Sequence, residues 1–523
     1  MTKKYDHGTS LNHKILEGVN ILADTVACTL GPRGRNVILK EKDGRPMITK
    51  DGVTVAQFVN LEDPMQNAGA QIMKQASAET NNTAGDGTTT ATVLARAILR
   101  QAQAHLTAGA SPVELKRGMD KAVEKIVWSL EEMSTPISKK EDIENIATIS
   151  ANGDKSIGQL IATAVDAIGK DGAITVEPAR SLETSLEVAE GFKFGAGYVS
   201  TSFLTDQRRS TVNYNDCYLL VTDFSITAVD DLLPVLEIVA REARPLVVIA
   251  ENIEGQALAA LIMNAMRGTL KVAAVKAPMY GEERRNMLKD IALSTGATFV
   301  NRQAGKRLKE IKLIDLGQCQ SIEITKASTT IVGTTSDYEK VEEQIKQLKE
   351  ELSATESISD CERIQERITR LASGVAIVRV GAATEIEMIE KKHRIEDALE
   401  AVKSAQMEGI VPGGGTALLR AAAQIEVEVE NEQQSLGVDI IKKAVSEPLR
   451  QMALNAGESP DLILSMVLKE SGDLGYNFAT QKIENMIESG ILDPAKVTRS
   501  ALQNATSVAS TLITTSHAII EVN

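Results

Sequence analysis

Aromatic residues are scarce in this 523-residue chain. Seven Tyr, seven Phe and the single Trp128 amount to 3%, so its cores must be built from Ala, Val, Ile, Leu and Met. Cysteine is equally sparse. Cys28, Cys217, Cys319 and Cys361 are scattered, with no CxxC pair, which excludes a disulfide framework and a cysteine metal knuckle. No run of eighteen apolar residues occurs, so no membrane span is expected. The opening "MTKKYDHGTS" is polar and lacks the apolar region of a signal peptide, which points to the cytoplasm. An excess of positive charge is also missing. The formal net charge is −14, which argues against a chain built mainly to bind nucleic acid but leaves room for a local nucleotide pocket. Neither a GxxxxGK[ST] loop nor a kinase motif set appears.

What is present suits a globular protein: 43% hydrophobic and 24% charged residues. The length suggests about three domains. The first third reads as helical. Ile15, Val19, Leu22 and Val26 form one stripe, which Gly31 and Pro32 stop. "NVILK" reads as a short strand, and "PMITKDGVTVA" as strand, turn and helix start. A helix from about Pro112 to Met133 is broken at Pro136. From Asp171 to Ala277 the texture changes. "AITVEPA", "CYLLVTD", "PLVVIA" and "VAAVKAP" alternate with helical patterns, which predicts an α/β domain with a partly parallel sheet. Residues 338–371 read as a solvated, charged helical hairpin. After Ala372 the Ala-rich helical texture returns, so an α/β domain is expected inside a helical one.

One stretch carries chemistry. "AGDGTTTATVLARAIL", Ala84 to Leu99, opens a helix with residues that are poor or mediocre helix formers. Asp and Thr can cap a first turn through their oxygens. The same end of a helix offers free N–H groups and partial positive charge to a phosphate. Glycine permits close approach there, and Asp86 is a carboxylate able to hold Mg²⁺. The stretch alone leaves both readings open.

Taken together, "TLGPRGRNV", "ITKDGVTVA", "AGDGTTTATVLA", "LKRGMDKAV", "VKAPMYG", "GAATEIEM", "RIEDAL", "GGGTAL" and "GILDPAKVTRSALQNA" resemble the group I chaperonins, the bacterial GroEL type, across almost the whole chain. The resemblance implies a multidomain α and α/β fold. Equatorial segments would span 1–132 and 408–523, and intermediate segments 133–189 and 376–407. The apical α/β domain would span 190–375. It implies ATP and Mg²⁺, with K⁺ as well. Thr29, Leu30, Gly31, Pro32, Lys50 and Gly52 would border the nucleotide. Asp86 would ligate the metal, and Gly87, Thr88, Thr89 and Thr90 would cradle phosphate. Gly414, Asn477, Phe478, Ala479 and Asp493 would face ribose and base. Asp397, with Asp51 assisting, would position the attacking water. Asp397 is expected to reach the phosphate only when its domain swings down.

By pattern alone "DDLLPVLEIVAREA" and "EGQALAALIMNAMRG" are core helices. The resemblance instead implies a groove for non-native clients and for a lid-forming cochaperonin. It would be lined by Leu233, Leu236, Leu258, Ile262 and Met263 and extended by Tyr198, Phe203 and Leu204. Pro136 and Gly409 match a lower hinge, and Gly191 and Gly374 an upper one. A homo-oligomer of two stacked seven-membered rings is implied. Four features depart from the family pattern. Ser202 replaces a groove tyrosine. Ala196 replaces an arginine that pairs across subunits with the acid at Glu385. Ser373 replaces a hinge glycine, and no Gly/Met-rich tail follows "AIIEVN". The expected function is ATP-driven protein folding. A diverged paralogue that binds proteins without folding them is the main alternative, and a small-molecule kinase a remote one.

Overall fold

The computed structural model describes residues 2–40, 46–137, 139–168, 173–179, 181–303, 305–334, 338–355, 358–372 and 374–522. The chain forms two compact units. One comprises Met1–Thr163, Pro178–Thr184 and Val380–Asn523; the other comprises Ala164–Glu177 and Ser185–Arg379. The α/β unit is thus inserted in the helical one. The segments expected as an intermediate domain are divided between the two units.

The first unit is built on long helices: Gly8–Ala27, Pro64–Ala84, Thr88–Thr107, Pro112–Met133, Glu432–Ala444 and Ala495–Ile513. Their apolar stripes meet in one core that includes Leu11, Val19, Leu22, Met73, Leu94, Ile98, Leu115 and Ile126. The core is aliphatic, as the shortage of aromatics requires, and Trp128 is 57% exposed. Small residues let the helices approach closely. A Cβ on Gly18 would stand 1.9 Å from the Gln66 carbonyl oxygen, and one on Gly69 would stand 2.6 Å from that of Ile15. The same reciprocal contact joins Gly118 to Gln434, at 1.9 Å, and Gly437 to Leu115, at 2.2 Å. The two ends of the chain close this unit. Thr2–His7 pairs antiparallel with His517–Val522, bringing His7 opposite His517.

In the second unit one eight-stranded sheet runs in the order Val272–Lys276, Leu246–Ala250, Val212–Val221, Gly317–Ile324, Thr329–Thr334, Ser185–Phe194, Gly374–Val380, Ala173–Pro178. The first three strands are mutually parallel, and the pairings from Val212–Val221 through to Gly374–Val380 are antiparallel. All five residues of Leu246–Ala250 are buried, as expected of a parallel strand covered on both faces. Helices Tyr338–Ala354 and Ile358–Ala372 form the expected charged hairpin, but it is not simply solvated, since Leu348, Ile364, Ile368 and Leu371 are buried in this unit's core. All four cysteines are free.

Of the hinge candidates, Gly409 sits beside a short bridge between Thr135 and Ile410. Its φ of +79° suits glycine, and a Cβ would stand 2.4 Å from Ser134 Oγ. Pro136 follows that bridge. Gly191 and Gly374 lie in adjacent strands of the large sheet, opposite Val332 and Glu190 respectively. Ser373 lies outside the described residues.

Candidate functional site

The first unit contains a cavity of about 680 Å³, within the range of roughly 300–1,000 Å³ typical of small-molecule sites. Every residue assigned to nucleotide binding or catalysis lines it: Thr29, Leu30, Gly31, Pro32, Lys50, Asp51, Gly52, Asp86, Gly87, Thr88, Thr89, Thr90, Asp397, Gly414, Asn477, Phe478, Ala479 and Asp493. They come from distant stretches of chain, so the fold gathers them.

The floor is the start of the Thr88–Thr107 helix. Its N-cap is Gly87, at φ +82°, and no side chain caps it. Asp86 instead accepts from the Gly87 N–H at 2.5 Å and from Ser150 Oγ at 3.1 Å. The capping explanation for the Gly-Asp-Gly-Thr run therefore does not apply. The first-turn N–H groups of Thr88, Thr89 and Thr90 remain uncapped, as an anion site requires. A second helix, Thr416–Gln424, opens on the same cavity behind Gly415, at φ +75° and also uncapped. Gly52 completes the cradle. A Cβ there would lie 2.4 Å from Thr89 Oγ1 and 2.8 Å from Thr88 Oγ1.

Charge in the cavity is finely divided. Lys50 Nζ donates to the Gly31 carbonyl at 3.1 Å and to Asn152 Oδ1 at 3.0 Å. Burial and the nearby Arg394 pull its pKa below the usual lysine value. Asp86 is pushed up by burial and by the charge of Asp51. Asp493 is pushed up to about 7 by burial and by Asp86. Carboxylates that raise one another in a shielded pocket are stabilised as anions by a divalent cation. Among the described residues no group of three His, Cys, Asp or Glu side chains could enclose a metal. A metal here would take Asp86 as its protein anchor and complete its shell from phosphate and water. That is how Mg²⁺ is commonly held, so the donor set fits it.

Asp397 lies on the Glu385–Glu408 helix. That helix packs onto the Asp86 loop: Ser404 Oγ donates to the Ala84 carbonyl at 2.8 Å, and a Cβ on Gly85 would lie 2.3 Å from Glu400 Cβ. Asp397 thus already faces the cavity in this structure. Asp51 has a structural task as well. It caps the Gly52–Phe58 helix, accepting from the N–H groups of Val53 at 3.3 Å and Thr54 at 3.0 Å. The Asn477 side chain is spent locally, accepting from Ala479 N at 2.9 Å and donating to Glu484 at 2.7 Å. Phe478 is buried against Tyr476. This edge of the cavity therefore offers mainly backbone and apolar surface.

Sequence reasoning missed Ser150 and Asn152. The signal for Asn152 was the Asn-Gly turn dipeptide, since it adopts φ +60° ahead of Gly153. Ser150 had none. Its contact with Asp86 arises only in the fold.

In the second unit the two amphipathic helices are Val229–Glu242 and Gly255–Arg267. Leu233 and Met263 are 47% and 48% exposed. Tyr198, Leu204, Leu258 and Ile262 are partly buried against the core. Phe203 and Leu236 are buried in that core and do not present a face to solvent. Leu236 points inward with Leu232, Val235 and Val239, as helical periodicity demands. Met266, which sequence reasoning omitted, is 71% exposed one turn beyond Met263.

A helical body formed from both ends of a chain, with this cavity at a helix start and an α/β unit inserted, is the chaperonin fold. The chain belongs to the TCP-1/cpn60 chaperonin family, whose model matches residues 22–523. It is similar in structure to the chaperonin gp146 from the bacteriophage EL 2 (Pseudomonas aeruginosa), whose crystal structure was determined in the presence of ATP-BeFx. The TM-score is 0.66 and the identity 22%, with 99% of each chain covered. Members of the family are ATP-dependent chaperones that act on non-native proteins as oligomeric rings.

Proposed function

We propose that this chaperonin is of the group I type and couples ATP hydrolysis to the folding of non-native proteins. The observation that carries the reading is the convergence of all the nucleotide and catalytic candidates on one cavity floored by an uncapped helix start. The N–H groups of Thr88 to Thr90, with their hydroxyls, bind phosphate. The backbone around Gly414 and Ala479 borders ribose and base, together with Asp493. Asp86 holds Mg²⁺, which offsets charge on the phosphates. Asp397 orients the attacking water and accepts its proton, and Asp51 supports it from the opposite wall. K⁺ is expected beside the phosphates.

In this reading residues 1–132 and 408–523 form the equatorial domain, 133–189 and 376–407 the intermediate domain, and 190–375 the apical domain. Motion occurs at Pro136 with Gly409 and at Gly191 with Gly374. Leu233, Leu258, Ile262 and Met263, joined by Met266, bind exposed apolar segments of clients or the mobile segment of a cochaperonin lid. A ring of such faces adds avidity. The assembly is two stacked seven-membered rings in the cytoplasm. The test is refolding of a denatured client by the purified protein with a cochaperonin, with ATP, with ADP and with no nucleotide. Refolding that does not depend on ATP refutes it.

One observation favours a second reading, in which coupling between subunits is altered. Ala196 is buried, and its carbonyl accepts from Thr329 Oγ1 at 2.6 Å. No cation stands at that position to pair with Glu385 of a neighbour. ATP turnover against concentration separates the two readings, since lost coupling flattens the sigmoid.

A further inference from the structure

A second cavity, of about 730 Å³, lies in the first unit and shares no lining residue with the one described. Arg96, Arg100, Lys442, Lys443 and Arg450 line it, against one carboxylate, Glu447. The remaining wall is mainly alanine and leucine.

The protein answers this charge only in part. Arg100 Nε donates to the neutral Asn20 side chain at 2.9 Å, and Lys442 Nζ to the Ile425 carbonyl at 3.1 Å. Arg450 Nη1 meets Asp461 at 2.6 Å and its Nε stands 3.7 Å from Glu447, while Arg96 Nη1 meets Asp24 and its Nη2 donates to Gln451 at 2.9 Å. Those two aspartates are 82% and 66% exposed, so solvent screens both pairs. Arg96 is only 4% exposed, and its buried Nε has no hydrogen-bond partner among the described residues. Five cations around one cavity, set against a single carboxylate, define one chemistry. We propose that this cavity binds a small oligophosphate anion, at a site separate from the first cavity.

Three helices reach both cavities. Thr88–Thr107 contributes Thr88 to the first and Arg96 to the second. Thr416–Gln424 contributes Leu418 and Leu419, and Glu447–Ala456 contributes Pro448 and Arg450.

The experiment titrates inorganic triphosphate, and separately ADP, into the full-length protein by calorimetry in metal-free buffer. The variant is R100E/K443E, in which both substituted residues are exposed. R100Q/K443Q replaces it if the charge reversal unfolds the chain. The control, K346E/K349E, makes the same charge change on an exposed helix of the second unit. Wild type and control are expected to bind triphosphate at least about tenfold more tightly than R100E/K443E. The difference should shrink as ionic strength rises from about 0.05 to about 0.5 M. Because the first cavity also takes ADP, its stoichiometry decides the source: a second equivalent of ADP bound by wild type and missing from R100E/K443E would identify a nucleotide-borne phosphate, whereas one equivalent in both would identify an inorganic one. Equal triphosphate affinity in wild type and R100E/K443E overturns the proposal, as does an equal loss in K346E/K349E.

Discussion

Replacing Gly52 with alanine tests the phosphate cradle with one methyl group. The new Cβ would lie 2.4 Å from Thr89 Oγ1 and 2.8 Å from Thr88 Oγ1, whereas ordinary contact begins at 3.4 Å. Thr89 Oγ1 must therefore retreat by about 1 Å. The atoms that give way are hydroxyls on side chains that can rotate, and Gly52 has no positive φ. The cost to folding is accordingly that of mild overpacking, roughly 1–3 kcal/mol. The cost to function is larger. A misplacement of about 1 Å in a positioning group can lower a rate roughly 100-fold, and each charge-assisted hydrogen bond lost is worth about 1.5–3 kcal/mol. Gly52→Ala should thus lower kcat/KM for ATP by about 10- to 100-fold while the protein still melts cooperatively. Gly195→Ala is the matched control, since its Cβ would meet nothing within 4 Å. Steady-state phosphate release and scanning calorimetry on both variants decide the matter. Turnover in Gly52→Ala within twofold of wild type would refute the cradle.

Asp86→Ala should abolish Mg²⁺-dependent ATP hydrolysis at saturating nucleotide, and near-normal turnover would remove its role as metal anchor. Asp397→Ala should keep nucleotide affinity while kcat falls by about 10²- to 10⁴-fold, the usual worth of a positioned base; a change in affinity alone would contradict that assignment. Leu233→Glu with Met263→Glu should prevent capture of a denatured client without shifting Tm, because both side chains are half exposed; capture assayed by co-sedimentation checks it. Gly18→Ala should destabilise the first unit by about 3 kcal/mol or more in denaturant melts, since the atom 1.9 Å away is a backbone oxygen that no rotamer can move.

How far the sequence could be read depended on how local each signal was. The Pro112–Met133 helix was legible to the residue because Pro at its start, a long apolar stripe and a terminating Pro136 are all local. The cavity-lining residues were legible through the family resemblance, because Gly-Asp-Gly-Thr is poor helix material and by itself left a cap and a phosphate site both open. Ser150 carried no local signal, and the Asn-Gly dipeptide marked Asn152 only as a turn. The groove shows the converse. Leu233 and Leu236 are a turn apart and chemically identical, yet one is 47% exposed and the other 7%. Which leucine faces inward depends on the neighbours that the helix meets, and the helical period gave only the stripe.

The same reasoning explains why the basic cavity went unread. Lys442 and Lys443 close a helix whose terminal carbonyls they complement. Arg96 and Arg100 stand on one face of another helix, four residues apart like an ordinary solvated pair. Each looked locally satisfied. Like charges at that spacing disfavour an isolated helix only slightly, and burial, which the sequence does not show, sharpens that cost. Loss of water, with Arg100 beside it, pulls Arg96 below its ordinary pKa, and the Asp24 carboxylate bonded to it is screened by solvent. A buried cation beside such a cavity is stabilised by an anion that brings its own charge, and the proposed oligophosphate would supply one.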